Sequence, residues 1–170
     1  MKMHNEDYNK EWGFIDYNGK AVLDCGADYG STAKFFLERG AKKVIAVEYD
    51  DQYWGALIAL SKVANVVPVQ RFLSKSKDFE LLLDEYEVDV AKVDVEGGEI
   101  GLLGVDCEHL RRAAEFTIEY HPGEGYPITV NHNYSEKELS LLLTRKFESC
   151  GFIVKGKLKR TLYANRIDDH

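Results

Sequence analysis

The sequence predicts an α/β protein: a doubly wound, mostly parallel sheet closed by an antiparallel edge hairpin at the C-terminal end. Two observations carry this. Five short runs rich in β-branched residues are near-continuous hydrophobe, as strands buried on both faces must be. Helical spacings lie between them, and alternating β and α segments demand a parallel sheet with helices on both faces.

In order, the strand runs are Ala21-Val-Leu-Asp-Cys, Lys43-Val-Ile-Ala-Val-Glu, Asn65-Val-Val-Pro-Val, Val88-Asp-Val-Ala-Lys-Val-Asp and Glu115-Phe-Thr-Ile-Glu. Trp54, Leu57 and Ile58 recur at i, i+3, i+4, and Phe79, Leu82, Leu83 and Tyr86 continue that rule to i+7. The clearest helix starts at Ser135, where Ser135 and Glu138 form a capping box. Leu139, Leu142, Leu143 and Phe147 make its apolar stripe, and Gly151 ends it. Phe152–Arg160 and Thr161–Asn165 then read as two paired strands. Lys155, Lys157 and Lys159 alternate on one face of the first, which suits a lysine-protected edge.

No repeat, low-complexity stretch or linker divides the chain, so residues 1–170 are expected to form one domain. An aromatic arm over residues 1–16, carrying Tyr8, Trp12 and Phe14 and followed by Tyr17, is expected to pack across the sheet edge. In related folds such an arm lids a cofactor. A composition of 45% hydrophobic and 30% charged residues with three prolines belongs to a folded chain and excludes a disordered or collagen-like one. No apolar run approaches the roughly 20 residues of a membrane span. Met1–Asp7 is polar and acidic, so neither a signal nor a transit peptide is expected and the protein should be cytoplasmic. A net charge of −7 argues against wholesale binding to nucleic-acid phosphates or anionic lipid. Cys25, Cys107 and Cys150 are odd in number, far apart and without a CxxC pair, so three reduced thiols are expected.

In such a sheet, ligands bind beyond the carboxyl ends of the strands. The loop Asp24-Cys-Gly-Ala-Asp-Tyr-Gly30 follows a buried strand and opens a helix, the setting a nucleotide loop requires. Gly26 allows the tight turn, and Gly30 lets the helix pack close. A dinucleotide loop wants glycine where Asp28 stands. A carboxylate there would repel a pyrophosphate but accept a bond from an ammonium group. Glu48, at the end of the second strand, holds the position where an acid takes the two hydroxyls of an adenosine ribose. Together these residues suit S-adenosylmethionine, which carries a sulfonium, an amine and a carboxylate but no phosphate. Asp28 also makes a nicotinamide-dependent dehydrogenase the weakest contender.

Val22-Leu-Asp-Cys-Gly-Ala-Asp-Tyr-Gly30 and Ala46-Val-Glu48 resemble the first and second motifs of class I S-adenosylmethionine-dependent methyltransferases. Asp89-Val-Ala-Lys-Val-Asp-Val-Glu-Gly-Gly-Glu99 is similar to the D-x-x-K-x-D-x-E-G-x-E signature of their FkbM-type members. The resemblance runs from about Tyr17 to Arg166, closing on Glu119-Tyr-His-Pro, a helix, Gly151-Phe and Leu162-Tyr-Ala. It implies a Rossmann-like seven-stranded sheet, the cofactor across the ends of strands one to four, and methyl transfer, usually to a hydroxyl oxygen. Asp24, Gly26 and Gly30 would line the methionine moiety with Ala27 and Asp28, and Glu48 with its neighbour Tyr49 would take the ribose. Phe72 stands where a polar adenine contact is common and would stack on or wall off the base. Asp94 and Glu96 would sit beside the sulfonium. The stretch from Glu48 to Asp89 is short for the family, and the chain offers less substrate-binding sequence than many members. The acceptor is therefore expected to be small or bound by a partner subunit, with a homo-oligomer as the other possibility.

A hydroxyl acceptor gains from a general base, and Asp94, Glu96 and His121 are the candidates. His121 has the ordinary pKa best suited to that work near neutrality. The bland reading of His121 is a loop residue beside Pro122, and that of Asp94 and Glu96 is helix capping. A hard cation on Asp94, Glu96 and Glu119 would be chemically apt. Their spacing matches no metal motif, and no metal is expected. The leading function is O-methylation of a small-molecule or sugar hydroxyl. The alternatives are a catalytically silent subunit of this fold that binds a protein partner, and a nucleic-acid methyltransferase. The last is disfavoured because Asp94-Val-Glu96 replaces the [DN]-P-P-[YF] loop of amino-methylating enzymes.

Overall fold

The computed structural model describes residues 7–123, 125 and 127–167. The expected strands all form, as β1 (Ala21–Cys25), β2 (Lys43–Glu48), β3 (Val66–Gln70), β4 (Val90–Val93), β5 (Glu115–Glu119), β6 (Phe152–Gly156) and β7 (Thr161–Arg166). The helices are α1 (Tyr8–Glu11), α2 (Ser31–Glu38), α3 (Asp51–Ser61), α4 (Ser76–Glu85), α5 (Cys107–Leu110) and α6 (Glu136–Ser149), with a 3-10 turn over Gly98–Gly104. The strands make one seven-stranded sheet in the order β3-β2-β1-β4-β5-β7-β6. Strands β1 to β5 are parallel, and β7 runs antiparallel between β5 and β6.

Alternation along the strands divides the core between the two faces. Val22, Val44, Ala46 and Val90 pack with Ala33 and Phe36 of α2 and Leu57 and Leu60 of α3. Leu23, Ile45, Ala91 and Phe116 pack on the other side with Phe79 and Leu82 of α4 and Leu139, Leu143 and Phe147 of α6. The sheet is thus doubly wound. Phe116, Phe147 and Phe152 meet ring to ring at 4.9, 5.7 and 5.3 Å between centroids, joining β5, α6 and β6.

Local signals act as expected at α6. The Ser135 side chain accepts the Glu138 N–H, the Glu138 carboxylate accepts the Ser135 N–H at 2.9 Å, and Gly151 leaves the helix at φ +84°. The arm is more than an edge strap. Trp12 and Tyr17 are each 1% exposed, and the Tyr17 hydroxyl donates to the Trp12 carbonyl at 2.7 Å. They belong to the same core layer as Phe36. Residues 1–6 of the arm lie outside the described residues.

Two expectations need correction. The cysteines are not three reduced thiols: Cys107 and Cys150 form a disulfide, and Cys25 alone is free and buried. Cys107 opens α5 and Cys150 caps α6, and Arg111 also donates to the Cys150 carbonyl at 3.2 Å. A separation of 43 residues hid this proximity. Nor do the three lysines share a strand face. Only Lys155 lies on β6, because the chain turns after Gly156, with Arg160 at φ +63°. Lys157 sits 4.7 Å over the Phe14 ring and 5.4 Å over that of Tyr163. Strand β6 is still an edge of the sheet, with β3 at the other. Among the described residues no helix is long and apolar enough to cross a membrane.

Candidate active site

The order of the strands reverses between β1 and β4, and a cavity of about 790 Å³ opens beyond their carboxyl ends. That volume lies within the range of small-molecule sites. The loop after β1 supplies Gly26, Ala27, Asp28 and Tyr29. Glu48, Tyr49 and Asp50 come from the end of β2, and Arg71, Phe72 and Leu73 from the exit of β3. Lys92, Asp94 and Glu96 come from β4 and its exit, Tyr8 and Trp12 from the arm, and Thr129 from the connection between β5 and α6.

Glycine is required at position 26. Its φ is +81°, and a Cβ there would lie 1.9 Å from the Asp94 carbonyl oxygen. Gly26 and Ala27 both donate to the Val47 carbonyl, at 3.0 and 3.1 Å, so the loop closes over the end of β2. Gly30 starts α2 at φ +83°, where a Cβ would meet Leu60 at 2.7 Å. Glu48 is 5% exposed, and its carboxylate accepts the N–H groups of Tyr49, Asp50 and Asp28 at 2.8, 2.9 and 3.1 Å. It therefore holds the loops after β1 and β2 in register while still lining the cavity. Tyr49 and Phe72 pack edge to face at 5.1 Å, and Tyr29 and Tyr53 at 4.5 Å, forming two aromatic lips.

The structure brings Gly26, Ala27, Asp28, Glu48, Tyr49, Phe72, Asp94 and Glu96 to the cavity. It keeps Asp24, Gly30 and His121 off its wall. Asp24 has no exposed surface: it accepts from the Thr32 hydroxyl at 2.6 Å and pairs with the Lys92 ammonium at 3.1 Å. Lys92 also donates to the carbonyls of Gly26 and Cys25, at 2.7 and 3.3 Å. Asp24 thus braces the loop from beneath through Lys92, instead of facing a ligand. Sequence reasoning gave Lys92 no role, although a lysine inside an apolar strand run was the signal.

His121 is 7% exposed and lies among acids. Its Nδ1 is 3.0 Å from Glu99 Oε1, and its Nε2 is 3.7 Å from both Asp94 Oδ1 and Glu96 Oε2. Burial opposes the charged ring, but Glu99, Asp94 and Glu96 outweigh it and raise the pKa to about 9. A charged ring has no free lone pair with which to act as a base, and His121 stands off the cavity wall. Glu96, at φ +50° and half exposed, has its carbonyl held by the N–H groups of Thr129 and Val130 at 2.8 and 3.2 Å. Burial raises its pKa, and the His121 charge pulls it partly back.

Glu99, with no exposed surface, also escaped the sequence reading as more than a motif letter; it accepts from Val95 and Gly97 N–H at 2.8 and 2.9 Å. The ligand atoms of Asp94, Glu99 and His121 lie within 4.8 Å of one another. Both imidazole nitrogens face carboxylates within this grouping. Glu119 stands apart from that group. Its pKa is pushed up to about 7, by burial first and then by Asp94.

No protein-family model matches the chain. A curated relative, uncharacterized protein 65 of the Sulfolobus islandicus filamentous virus (isolate Iceland/Hveragerdi), is 42% identical over 45 residues, which are 26% of this chain. The match spans about a quarter of that relative's length, 28%. Among solved structures, the chain is similar to an S-adenosylmethionine-dependent methyltransferase from Aquifex aeolicus, with 18% identity and a TM-score of 0.55 over 95% of this chain and 94% of that one. It is also similar to one from Mesorhizobium loti, at 13% identity and TM-score 0.56, covering 92% and 98%. The ribosomal protein L11 methylase of Lactobacillus delbrueckii subsp. bulgaricus gives 14%, 0.59, and coverage of 91% and 74%. The chain has the class I S-adenosylmethionine-dependent methyltransferase fold.

Proposed function

We propose that this protein is an S-adenosylmethionine-dependent methyltransferase of the FkbM type that methylates a hydroxyl of a small molecule or sugar. The observation that carries the reading is the placement of Glu48. It is a nearly buried carboxylate on the cavity wall at the end of β2, opposite a glycine loop whose Gly26 admits no side chain. The residues fit the cofactor. Glu48 has carboxylate lone pairs beyond its three backbone bonds for a ribose diol, Asp28 suits an ammonium, and Tyr49 and Phe72 offer apolar walls to a base. The Asp89–Glu99 signature supports the finer assignment.

When bound, the cofactor supplies an electrophilic methyl group on a sulfonium. The chain's own part is chiefly positioning, because an in-line displacement gains most from holding the reactants aligned. Glu96 is the group best placed to take the acceptor's proton. It lines the cavity, is partly exposed, and has a carboxyl pKa that burial raises above its ordinary value. Asp94 lies beside it, between Lys92 at 3.8 Å and His121 at 3.7 Å, as a fixed negative charge.

Calorimetric titration with S-adenosylhomocysteine, with NAD as control, tests the cofactor. Micromolar binding that is weakened in Glu48→Gln, with no NAD binding, is the expected result. Binding of neither ligand would remove the enzyme reading. Screening hydroxylated small molecules and sugars as methyl acceptors then tests the substrate class, and methylation of nucleic acid or protein alone would overturn it.

A further inference from the structure

We infer that His121 is a positioning residue: an imidazolium clasp that fixes Asp94 and Glu96 at the acceptor side of the cavity while Glu99 anchors it from behind. The inference deepens the reading above and rests on it for its catalytic part. The geometry sets both ring nitrogens toward acids. Nδ1 faces Glu99 Oε1 at 3.0 Å, and Nε2 faces Asp94 Oδ1 and Glu96 Oε2, each at 3.7 Å. A neutral imidazole has one N–H and one lone pair. Either tautomer would point that lone pair at a carboxylate in a site with little water. With both nitrogens protonated, Nδ1–H donates to Glu99 and Nε2–H turns toward Asp94 and Glu96 at ion-pair distance, and buried charges persist where they are paired.

Each partner is held from a different element. Glu99, on the 3-10 turn, is fixed by the N–H groups of Val95 and Gly97. Asp94 follows β4 and also faces Lys92, whose ammonium is tied to Asp24. Glu96 is held at positive φ by the connection between β5 and α6. That same connection supplies His132, whose Nε2–H donates to the His121 carbonyl at 2.9 Å. The remaining charges acting here are Glu119, two residues earlier, and Arg160, in the turn before β7, which acts on both Glu96 and Glu119. The net surroundings of the ring are acidic and favour its charged form. Without the clasp, Asp94 and Glu96 would repel one another across the site, and Glu96 would lose the partner that aims its carboxylate.

The test is a pH titration of the full chain by proton–nitrogen correlation of its five histidines, with His121→Asn used to assign the signal. Both ring nitrogens of His121 should be protonated at pH 7, and the midpoint should lie at about 9. A ring that loses a proton below pH 7 would overturn the inference. This measurement needs no ligand, so it can fail or succeed independently of cofactor binding. In the enzyme, His121→Asn should lower kcat by roughly 10- to 100-fold with little change in S-adenosylhomocysteine affinity. His121→Lys should restore part of kcat through its charge. Equal rates for wild type and His121→Asn, or a loss in cofactor affinity alone, would sink the positioning role. Should His121→Asn fail to fold, side-chain-to-backbone correlation in the wild type assigns the His121 ring, and the titration still decides its charge state.

Discussion

Lys92 and Asp24 form an ion pair sealed from solvent, 3.1 Å apart, with side chains 1% and 0% exposed. Burial pushes the Asp24 carboxyl up, and Lys92 and then Thr32 pull it back. Removing one partner leaves an uncompensated buried charge, which typically costs about 3–5 kcal/mol. Lys92→Met should therefore lower the urea unfolding free energy by about that amount. Adding Asp24→Asn should recover most of the loss. Additive losses in the double variant would show that the two do not act as a pair.

The disulfide between Cys107 and Cys150 closes a loop of 43 residues. The chain-entropy argument assigns about 4 kcal/mol to a loop of that length. Wild type should unfold at distinctly lower urea in reductant, whereas Cys107→Ser/Cys150→Ser should match reduced wild type and ignore reductant. Identical midpoints for oxidised and reduced wild type would contradict this.

Cofactor binding should depend on pH through Asp28. Burial within its loop comes first, opposed by Lys92 and reinforced by Glu48, Asp94 and Asp24, and the carboxyl is pushed up to about 7. One side of Asp28 is open to the cavity, and solvent there tempers the effect. An ammonium ligand needs the ionised form, so S-adenosylhomocysteine affinity should rise between pH 6 and pH 8. Asp28→Asn should bind more weakly and show a flat profile by calorimetry over that interval.

His121 links pH to stability with the opposite sense. Its folded pKa, about 9, exceeds the ordinary 6.5. Its contribution is thus fully present below pH 6.5 and is lost as pH rises through 9. The wild-type urea midpoint should fall more steeply than that of His121→Asn between pH 7 and 9.5.

The arm should be tested by point changes. Deleting residues 1–16 would remove Trp12, whose 1% exposure makes it core, and Trp→Ala changes in cores cost about 3–5 kcal/mol. Trp12→Ala should therefore destabilise the fold in thermal melts. Tyr8→Ala, at the half-buried rim of the cavity and packed on Phe35, should lower the melt less than Trp12→Ala and weaken S-adenosylhomocysteine binding.

The sheet and its glycine loop were legible because they depend on short-range pattern: unbroken hydrophobe for β1 and β2, a capping box at Ser135, glycine at position 26. The partners of Asp24 and His121 were not. A buried aspartate on a strand reads the same whether it faces a ligand or Lys92 beneath the loop. The pKa of His121 is set by Glu99, 22 residues away in sequence, and by acids after β4. The cysteine pairing was hidden for the same reason, since spacing along the chain carries no record of which helix ends lie together.

The strand order has a consequence for how this site can change. One wall of the cavity is built from the glycine loop and the exits of β2 and β3, all before Ser74 apart from Lys92 at the seam. Asp94, Glu96, Glu99, His121 and Thr129 come after it, on the far side of the β1–β4 junction. The chain is therefore modular along its length. The second half, above all the connection between β5 and α6, could be rewritten while the glycine-loop side of the cavity stayed as it is.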